Sequence, residues 1–207
     1  MGHVKSKTRM ICGTKRGTSY FHFLGNAAWR VKNVKGAIDI VKDVPTEKLK
    51  VLGGYRFNFK MGMRFTFSPK ISFEGMVGGI EKDKLINSSK GLIFPVRWHE
   101  PFGLAIIESL FYGCPVFGTP YGSLPELIPA EVGYLSCNKA DLVGAIKNSG
   151  SFSALRCHEF ALDTFNSKTM TLDYIEKYNR VLSGETLNPD KPALIMVQET
   201  KFLEWNS

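Results

Sequence analysis

The residues of this sequence best suited to bind a polar ligand are two glutamates eight positions apart, Glu100 and Glu108. Glu100 lies in a loop, and Glu108 lies in the middle of an apolar segment of helical length, residues 104–112. A buried carboxylate without a partner costs several kcal/mol, so Glu108 requires a donor from another side chain or from ligand hydroxyls. The N–H groups near Gly103 and Leu104, at the helix start, suit a phosphate. We therefore expect two carboxylates and a phosphate-binding helix start at one crevice.

Both glutamates belong to a predicted strand–loop–helix–strand unit. The apolar run 92–94 predicts a buried strand, and residues 115–118 predict the next one. Between them, Gly113 follows the helix 104–112, in the usual position for a glycine after a helix C-terminus. This order is typical of a βαβ unit in a parallel sheet, whose ligands bind at the carboxyl ends of the strands. Because the helix has almost no polar face, we expect it to be buried on most sides.

Residues 100–108 read EPFGLAIIE, and residues 113–116 read GCPV. Together they resemble the Glu-x7-Glu signature of retaining glycosyltransferases of family four (glycosyl transferases group 1), which have the GT-B fold of two Rossmann-like domains. The resemblance implies that this chain is the C-terminal, donor-binding domain of such an enzyme and binds a nucleotide-diphosphate sugar. The residues alone also allow a βαβ unit without a ligand, in which Glu100 caps the helix and Glu108 forms a salt bridge.

The same resemblance implies a role for each residue of the signature. Glu100 would be the catalytic residue that contacts hydroxyls of the donor sugar, and Glu108 would bind the nucleotide ribose. The backbone amides between them, those of Phe102, Gly103 and Leu104, would hold the diphosphate. We expect no cofactor and no metal, with the nucleotide sugar itself as substrate.

The cationic residues that bind the diphosphate in this family are matched only in part. Members of the family carry Gly-Arg after the first strand of the domain and Lys-Gly at the start of the next helix. Gly25 matches, but Asn26 stands at the Arg position, and Arg30 is a candidate replacement. Lys32 best fits the lysine, with Lys35 as a competing alignment. Cations near a helix N-terminus are unfavourable unless an anion lies between them, which favours phosphate binding over plain surface charge.

A glycine-rich loop follows the predicted strand 71–74. By the resemblance, Gly75, Met76 and Val77 would contact the nucleotide base, mainly through their backbone. Residues 55–69 alternate aromatic and polar side chains and are strongly basic. This pattern also occurs on nucleic-acid-binding surfaces, but we expect a packed segment of the sheet domain.

The remaining pattern predicts an α/β domain, a Rossmann-like, mostly parallel sheet of about six strands with helices on both faces. Further strands are predicted at 19–24, 48–52 and 133–135, and further helices at 34–44, 81–88, 138–148, 153–164 and 167–182. Glu126 is expected to begin a short helix, and Asn138 and Ser167 are expected to cap theirs. A lone histidine within a strand, His22, is interpreted as a satisfied core residue rather than a ligand.

The domain organisation follows from the extent of the resemblance. We predict a lead-in segment at 1–17, the nucleotide-sugar-binding domain at 18–182 and a C-terminal tail at 183–207. No second sheet domain fits into the remainder, so the acceptor domain is expected elsewhere and the isolated chain is expected to be inactive. Residues 193–197 with Phe202, Leu203 and Trp205 are expected to contact that missing N-terminal domain or a second copy of this chain.

The composition limits the class of protein. The 207 residues carry a formal net charge of +8, which suits an anionic partner such as nucleotide-sugar phosphates, nucleic acid or an anionic membrane surface. No apolar run approaches the roughly 20 residues of a membrane span. The four cysteines form no CxxC pair, and we expect a cytoplasmic protein, with association at a membrane surface as an option. A non-catalytic scaffold or nucleic-acid-binding module is the alternative, but two acidic groups in the crevice would repel a nucleic-acid backbone.

Overall fold

The computed structural model describes residues 20–56, 67–193, 197 and 200–207. Its centre is a six-stranded sheet in which every neighbouring pair of strands is parallel. The strands are β1 (Phe21–Leu24), β2 (Leu49–Leu52), β3 (Ile71–Phe73), β4 (Leu92–Phe94), β5 (Val116–Gly118) and β6 (Gly133–Leu135). Their spatial order is β3-β2-β1-β4-β5-β6, so the chain reverses its direction of winding between β1 and β4. The prediction of a Rossmann-like α/β domain with about six strands is confirmed.

Seven α-helices belong to the described residues. They are α1 (Val34–Lys42), α2 (Gly79–Asn87), α3 (Leu104–Phe111), α4 (Leu124–Leu127), α5 (Lys139–Lys147), α6 (Ala154–Thr164) and α7 (Ser167–Leu182). Each helix predicted from the sequence is present, and Asn138 caps α5 as expected, with its side chain accepting from Ala140 N.

Two predicted helix starts differ from the structure. The short helix α4 begins at Leu124, two residues before Glu126. The N-cap of α7 is Asn166 rather than Ser167, because Asn166 has the extended backbone of a cap and its side-chain oxygen accepts from Thr169 N at 2.8 Å. An asparagine is among the best N-cap residues, so it displaces the serine that follows it into the first helical position.

Helices cover both faces of the sheet, and alternate residues of each strand point to opposite faces. Phe21, Phe23, Ile93 and Phe117 belong to a buried cluster with α1 and α5. Leu92, Phe94 and Val116 belong to a second cluster with α3 and α6. β4 and β5 are buried throughout, as expected for the centre of a covered parallel sheet.

His22 lies in the centre of β1 and is fully buried. Its ring nitrogens lie 2.8 Å from Ser89 Oγ and 2.9 Å from Ser109 Oγ. Ser89 follows the end of α2 and Ser109 lies on α3, so His22 links both helices to the central strand β1. This confirms the interpretation of His22 as a satisfied core residue.

The C-terminal residues fold back onto the sheet domain of the same chain. Leu203 N donates to Arg97 O at 2.9 Å, and Arg97 Nε donates to Leu203 O at 2.8 Å. Trp205 packs against the cluster that α1 and α5 share with the sheet, and Phe202 lies under the Arg30 and Arg97 guanidinium groups. The expected contact of Phe202, Leu203 and Trp205 with a missing domain or a second copy stays a prediction, and the three residues also have partners on their own domain. These apolar groups find an apolar surface and backbone partners on their own domain.

Several predictions concern parts of the chain outside the described residues. The lead-in at 1–17 lies there, as do residues 57–66 of the aromatic and basic segment and 194–196 of the tail.

Helix α7 is described in full, and none of its residues is buried. No helix in the described part of the chain has the length and apolar character needed to cross a membrane.

Candidate functional site

A cleft of about 570 Å³ opens at the carboxyl ends of β1, β2 and β4. It therefore lies where the strand order reverses, the usual ligand position of an open parallel sheet. Nine of the residues predicted for the site line this cleft: Gly25, Lys32, Met76, Val77, Glu100, Phe102, Gly103, Leu104 and Glu108. The structure thus brings together residues from three separate stretches of the sequence, 25–32, 76–77 and 100–108.

Glu100 and Lys32 form an ion pair inside the cleft. Lys32 Nζ donates to Glu100 Oε2 at 2.5 Å, and the side chains are 12% and 9% exposed. Trp98 Nε1 donates to the same oxygen at 2.9 Å. Lys32 Nζ also lies over the rings of Trp98 and Phe94, at 4.8 Å and 5.3 Å from their centroids. The Trp98 and Phe94 rings thus surround an ion pair that has little contact with solvent.

The placement of Lys32 settles which of the two competing lysines reaches the cleft. Lys32 belongs to a single 3₁₀ turn before α1, and its side chain points into the cleft. Lys35 is the second residue of α1, its side chain is 74% exposed, and its Nζ pairs with Asp39 Oδ2 at 2.7 Å. Asn33 separates the two lysines as the N-cap of α1, and its side chain accepts from Gly36 N at 3.1 Å.

The amino end of α3 faces the cleft and offers backbone donors. Gly103 is the N-cap and has a left-handed backbone, with φ of 83° and ψ of 55°. Ile106 N already donates to Gly103 O at 2.9 Å, whereas the amides of Leu104 and Ala105 come before this first donor and, as at any helix start, have no acceptor within the helix. Helix N-termini with such amides attract anions.

Glu108 lies at the rim of the cleft and is not buried. Its side chain is 41% exposed, and Lys82 Nζ from α2 donates to its Oε1 at 2.6 Å. The expectation that α3 is buried on most sides is also wrong, because Leu104 is 69% exposed and Phe111 is 36% exposed. Only one side of α3 packs on the sheet and α6, while its amino end borders the cleft.

A tight loop holds Glu100 in place from behind. Gly122 has φ of +64°, and a Cβ there would overlap the backbone N and O of Glu100. Ser123 N donates to Glu100 O at 2.9 Å. Next to Gly122, Tyr121 donates from its hydroxyl to Glu204 O at 2.8 Å, and burial raises the pKa of this phenol. The loop thus links the position of Glu100 to the C-terminal residues.

Two residues predicted for the site do not line the cleft. The Arg30 guanidinium lies over the Phe202 ring, 5.0 Å from its centroid, so the candidate replacement for the missing arginine is held by the tail. Gly75 lies behind the cleft, where its carbonyl accepts from Gly53 N at 2.7 Å and from Gly54 N at 3.3 Å. Gly75 therefore anchors the loop that carries Met76 and Val77 into the cleft.

Some residues of the cleft escaped the sequence interpretation. Trp98 and Trp29 add aromatic rings to its wall, and Lys82 neutralises Glu108 from a helix remote in sequence. Asn26 lines the cleft but uses its side-chain oxygen to accept from Ala28 N at 3.0 Å. Within the described residues, no group of three or more His, Cys, Asp or Glu side chains is arranged to hold a metal ion.

Residues 18–149 match the protein-family model described as "Glycosyl transferases group 1". Because the match spans more than half of the 207 residues, the chain belongs to this family. A comparison with curated proteins finds no match.

Solved structures of glycosyltransferases share the fold. Sucrose-phosphate synthase from Thermosynechococcus elongatus superposes with a TM-score of 0.67 at 19% identity, over 82% of this chain and 47% of that protein. A glycosyltransferase of avilamycin A biosynthesis has a TM-score of 0.64 at 19% identity, over 81% and 52%. The Anabaena protein HepE, in complex with UDP-glucose, has a TM-score of 0.61 at 16% identity, over 83% and 50%. The chain thus spans about half the length of these proteins.

Proposed function

We propose that this domain binds a nucleotide-diphosphate sugar and acts as the donor half of a retaining glycosyltransferase of family four. The observation that carries the proposal is the convergence of Lys32, Glu100, Glu108 and the amino end of α3 in one cleft. Membership of the glycosyl transferases group 1 supports it, and so does the presence of UDP-glucose in a structural neighbour with the same fold.

The diphosphate would lie between Lys32 and the amides of Leu104 and Ala105. The lysine brings a positive charge, and the helix end brings N–H groups and the positive end of the helix dipole. In the structure Lys32 is neutralised by Glu100 at 2.5 Å. A bound diphosphate would compete with Glu100 for Lys32 and so free the carboxylate for the sugar.

The two glutamates would bind different hydroxyl groups of the donor. Glu100 is at the inner end of the cleft, beside the proposed diphosphate position, and would accept from hydroxyls of the sugar. Glu108 is four residues into α3, at the rim, and would accept from the ribose hydroxyls. Its existing partner, Lys82, leaves the carboxylate 41% exposed and thus open to a ligand. Met76 and Val77 would border the base.

In the proposed reaction the leaving group is the nucleoside diphosphate. Lys32 and the α3 amides would stabilise the negative charge that develops on its phosphate as the bond to the sugar breaks. Glu100 would orient the sugar rather than act as a conventional base. The proposal needs no metal or other cofactor, because the cation and the amides provide the electrostatic stabilisation.

The acceptor would come from a second domain. This chain spans about half the length of the structures with the same fold, and the cleft is open on one side. We propose that an N-terminal domain closes over the cleft and supplies the acceptor site, so that these residues alone bind the donor but do not transfer it. We propose that the protein is located in the cytoplasm, where nucleotide sugars are present.

The test is a calorimetric binding screen of the chain against UDP, GDP and ADP and their glucose or mannose derivatives. We expect binding of one nucleotide family at micromolar to millimolar concentration, and no transfer of the sugar to added acceptors. If none of these ligands binds at millimolar concentration, the donor-site proposal fails. Robust transfer by the isolated chain would contradict the proposed need for a second domain.

A further inference from the structure

Trp98 contacts both charged groups at the inner end of the cleft. Its Nε1 donates to Glu100 Oε2 at 2.9 Å, and its ring lies 4.8 Å from Lys32 Nζ. Lys32 Nζ donates to the same Oε2. Among the described residues, both side-chain donors to Glu100 therefore use Oε2, which leaves Oε1 for a ligand hydroxyl.

We propose that Trp98 is a positioning residue of the donor site. Its indole N–H fixes the Glu100 carboxylate, and its ring face holds Lys32 in place. The inference rests on the proposed function. The Lys32 and Glu100 side chains are only 12% and 9% exposed, and the Trp98 indole contacts both of them. A hydrogen bond to a charged group and a desolvated cation–π contact are each strong enough to select one orientation of the side chain.

The role of Trp98 becomes larger when a ligand arrives. A diphosphate that binds Lys32 draws the lysine away from Glu100, and the indole N–H is then the remaining side-chain donor to Oε2 among the described residues. Trp98 would keep the carboxylate oriented towards the sugar in the ligand-bound state. Loss of the N–H should therefore weaken the part of binding that depends on the sugar, more than the part that depends on the nucleotide.

Two substitutions separate the two contacts. Trp98→Phe keeps an aromatic ring next to Lys32 but removes the indole N–H that donates to Glu100. Trp98→Leu removes the aromatic ring as well as the N–H. Trp205→Phe is the matched control, because Trp205 packs against the core cluster of α1 and α5 and does not line the cleft. All three variants are measured in the full chain, with the unfolding midpoint recorded for each.

The first measurement is the ratio of the dissociation constants of UDP and UDP-glucose, with the GDP and ADP pairs in parallel. For the pair that binds wild type, Trp98→Phe should lower affinity for the nucleotide sugar about tenfold more than affinity for the bare nucleotide. Trp98→Leu should weaken both, since Lys32 also loses its ring, and Trp205→Phe should leave the ratio unchanged. An unchanged ratio in Trp98→Phe would overturn the proposal.

The second measurement needs no ligand. In the ¹⁵N–¹H spectrum, the Trp98 indole N–H signal is expected to exchange slowly with solvent because a carboxylate accepts it. Glu100→Ala should shift this signal and accelerate its exchange, while the Trp29 and Trp205 indole signals stay in place. A Trp98 signal that does not respond to Glu100→Ala would overturn the positioning role. The two measurements can fail independently. If no nucleotide sugar binds the wild-type chain, the donor-site proposal fails. The spectrum still decides whether the Trp98 indole holds Glu100.

Discussion

Lys32 Nζ lies 2.5 Å from Glu100 Oε2, and this contact joins two loops that are 68 residues apart in the sequence. One loop precedes α1 and the other precedes α3, so the pair links the amino ends of two helices. A cation close to a helix N-terminus is unfavourable by itself. The carboxylate offsets this cost in the free protein, and we propose that a diphosphate does so in the complex.

Lys32→Met should weaken nucleoside diphosphate binding by about 10- to 100-fold, because a hydrogen bond between charged groups contributes about 1.5–3 kcal/mol. Lys35→Met is the matched control. It removes a lysine three residues away that is 74% exposed and pairs with Asp39, outside the cleft. Calorimetry should show unchanged affinity for that control. Equal affinity of both variants would exclude Lys32 as a phosphate ligand.

The two glutamates should respond differently to truncation. Glu108→Ala should lower the affinity for the bare nucleotide by about tenfold or more, since the ribose loses a charged acceptor. Glu100→Ala should spare bare-nucleotide binding and lower the affinity for the nucleotide sugar. In a full two-domain enzyme it should also lower turnover. The same loss of bare-nucleotide affinity in both variants would contradict the division of roles.

Much of the α/β pattern could be predicted because its signals are local. The strands β4 and β5 are short apolar runs, and Gly113 ends α3 with a left-handed backbone, φ of +68°. Turn glycines, caps and apolar periodicity are all read within one element. The same local signals placed Glu100 in a loop and Glu108 on a helix, which is where the structure has them.

The surroundings of Glu108 could not be predicted because they depend on tertiary packing. Lys82 comes from α2, 26 residues earlier, and no local pattern pairs it with Glu108. The burial of α3 was overestimated because the sequence gives no sign of which apolar residues face the core. Phe102 and Leu104 are 50% and 69% exposed and line the cleft, so their apolar side chains border the cleft instead of the core.

Gly122→Ala should destabilise the domain and disturb the position of Glu100. The left-handed backbone costs a non-glycine residue about 1–2 kcal/mol, and the new Cβ would overlap the Glu100 backbone. We expect a total loss of about 2–4 kcal/mol in the free energy of unfolding, measured by urea denaturation. Gly144→Ala is the opposite case: it lies inside α5 with open space around it, and alanine there should add about 0.5–1 kcal/mol. Equal effects of the two changes would contradict the tight contact at Gly122.

The C-terminal residues pack on their own domain, and we therefore expect them to contribute to its stability. Trp205 packs against the core cluster of α1 and α5, and the next residue joins the sheet domain through Asn206 N to Cys137 O at 2.9 Å and Lys139 N to Asn206 O at 2.8 Å. Because the indole is only partly buried, Trp205→Ala should lower the free energy of unfolding of the isolated chain by about 2 kcal/mol, less than for a fully buried tryptophan.

Val197→Ala serves as the control for Trp205→Ala, because Val197 lies in the same tail and is 68% exposed. It should change the stability by less than about 0.5 kcal/mol. Urea denaturation, followed by far-ultraviolet circular dichroism to avoid the loss of the tryptophan signal, measures both variants. If Trp205 served a second domain or a second copy instead, Trp205→Ala would leave the isolated chain as stable as the control at dilute concentration. A loss confined to Trp205→Ala would instead confirm that the tail stabilises the same domain that carries the cleft.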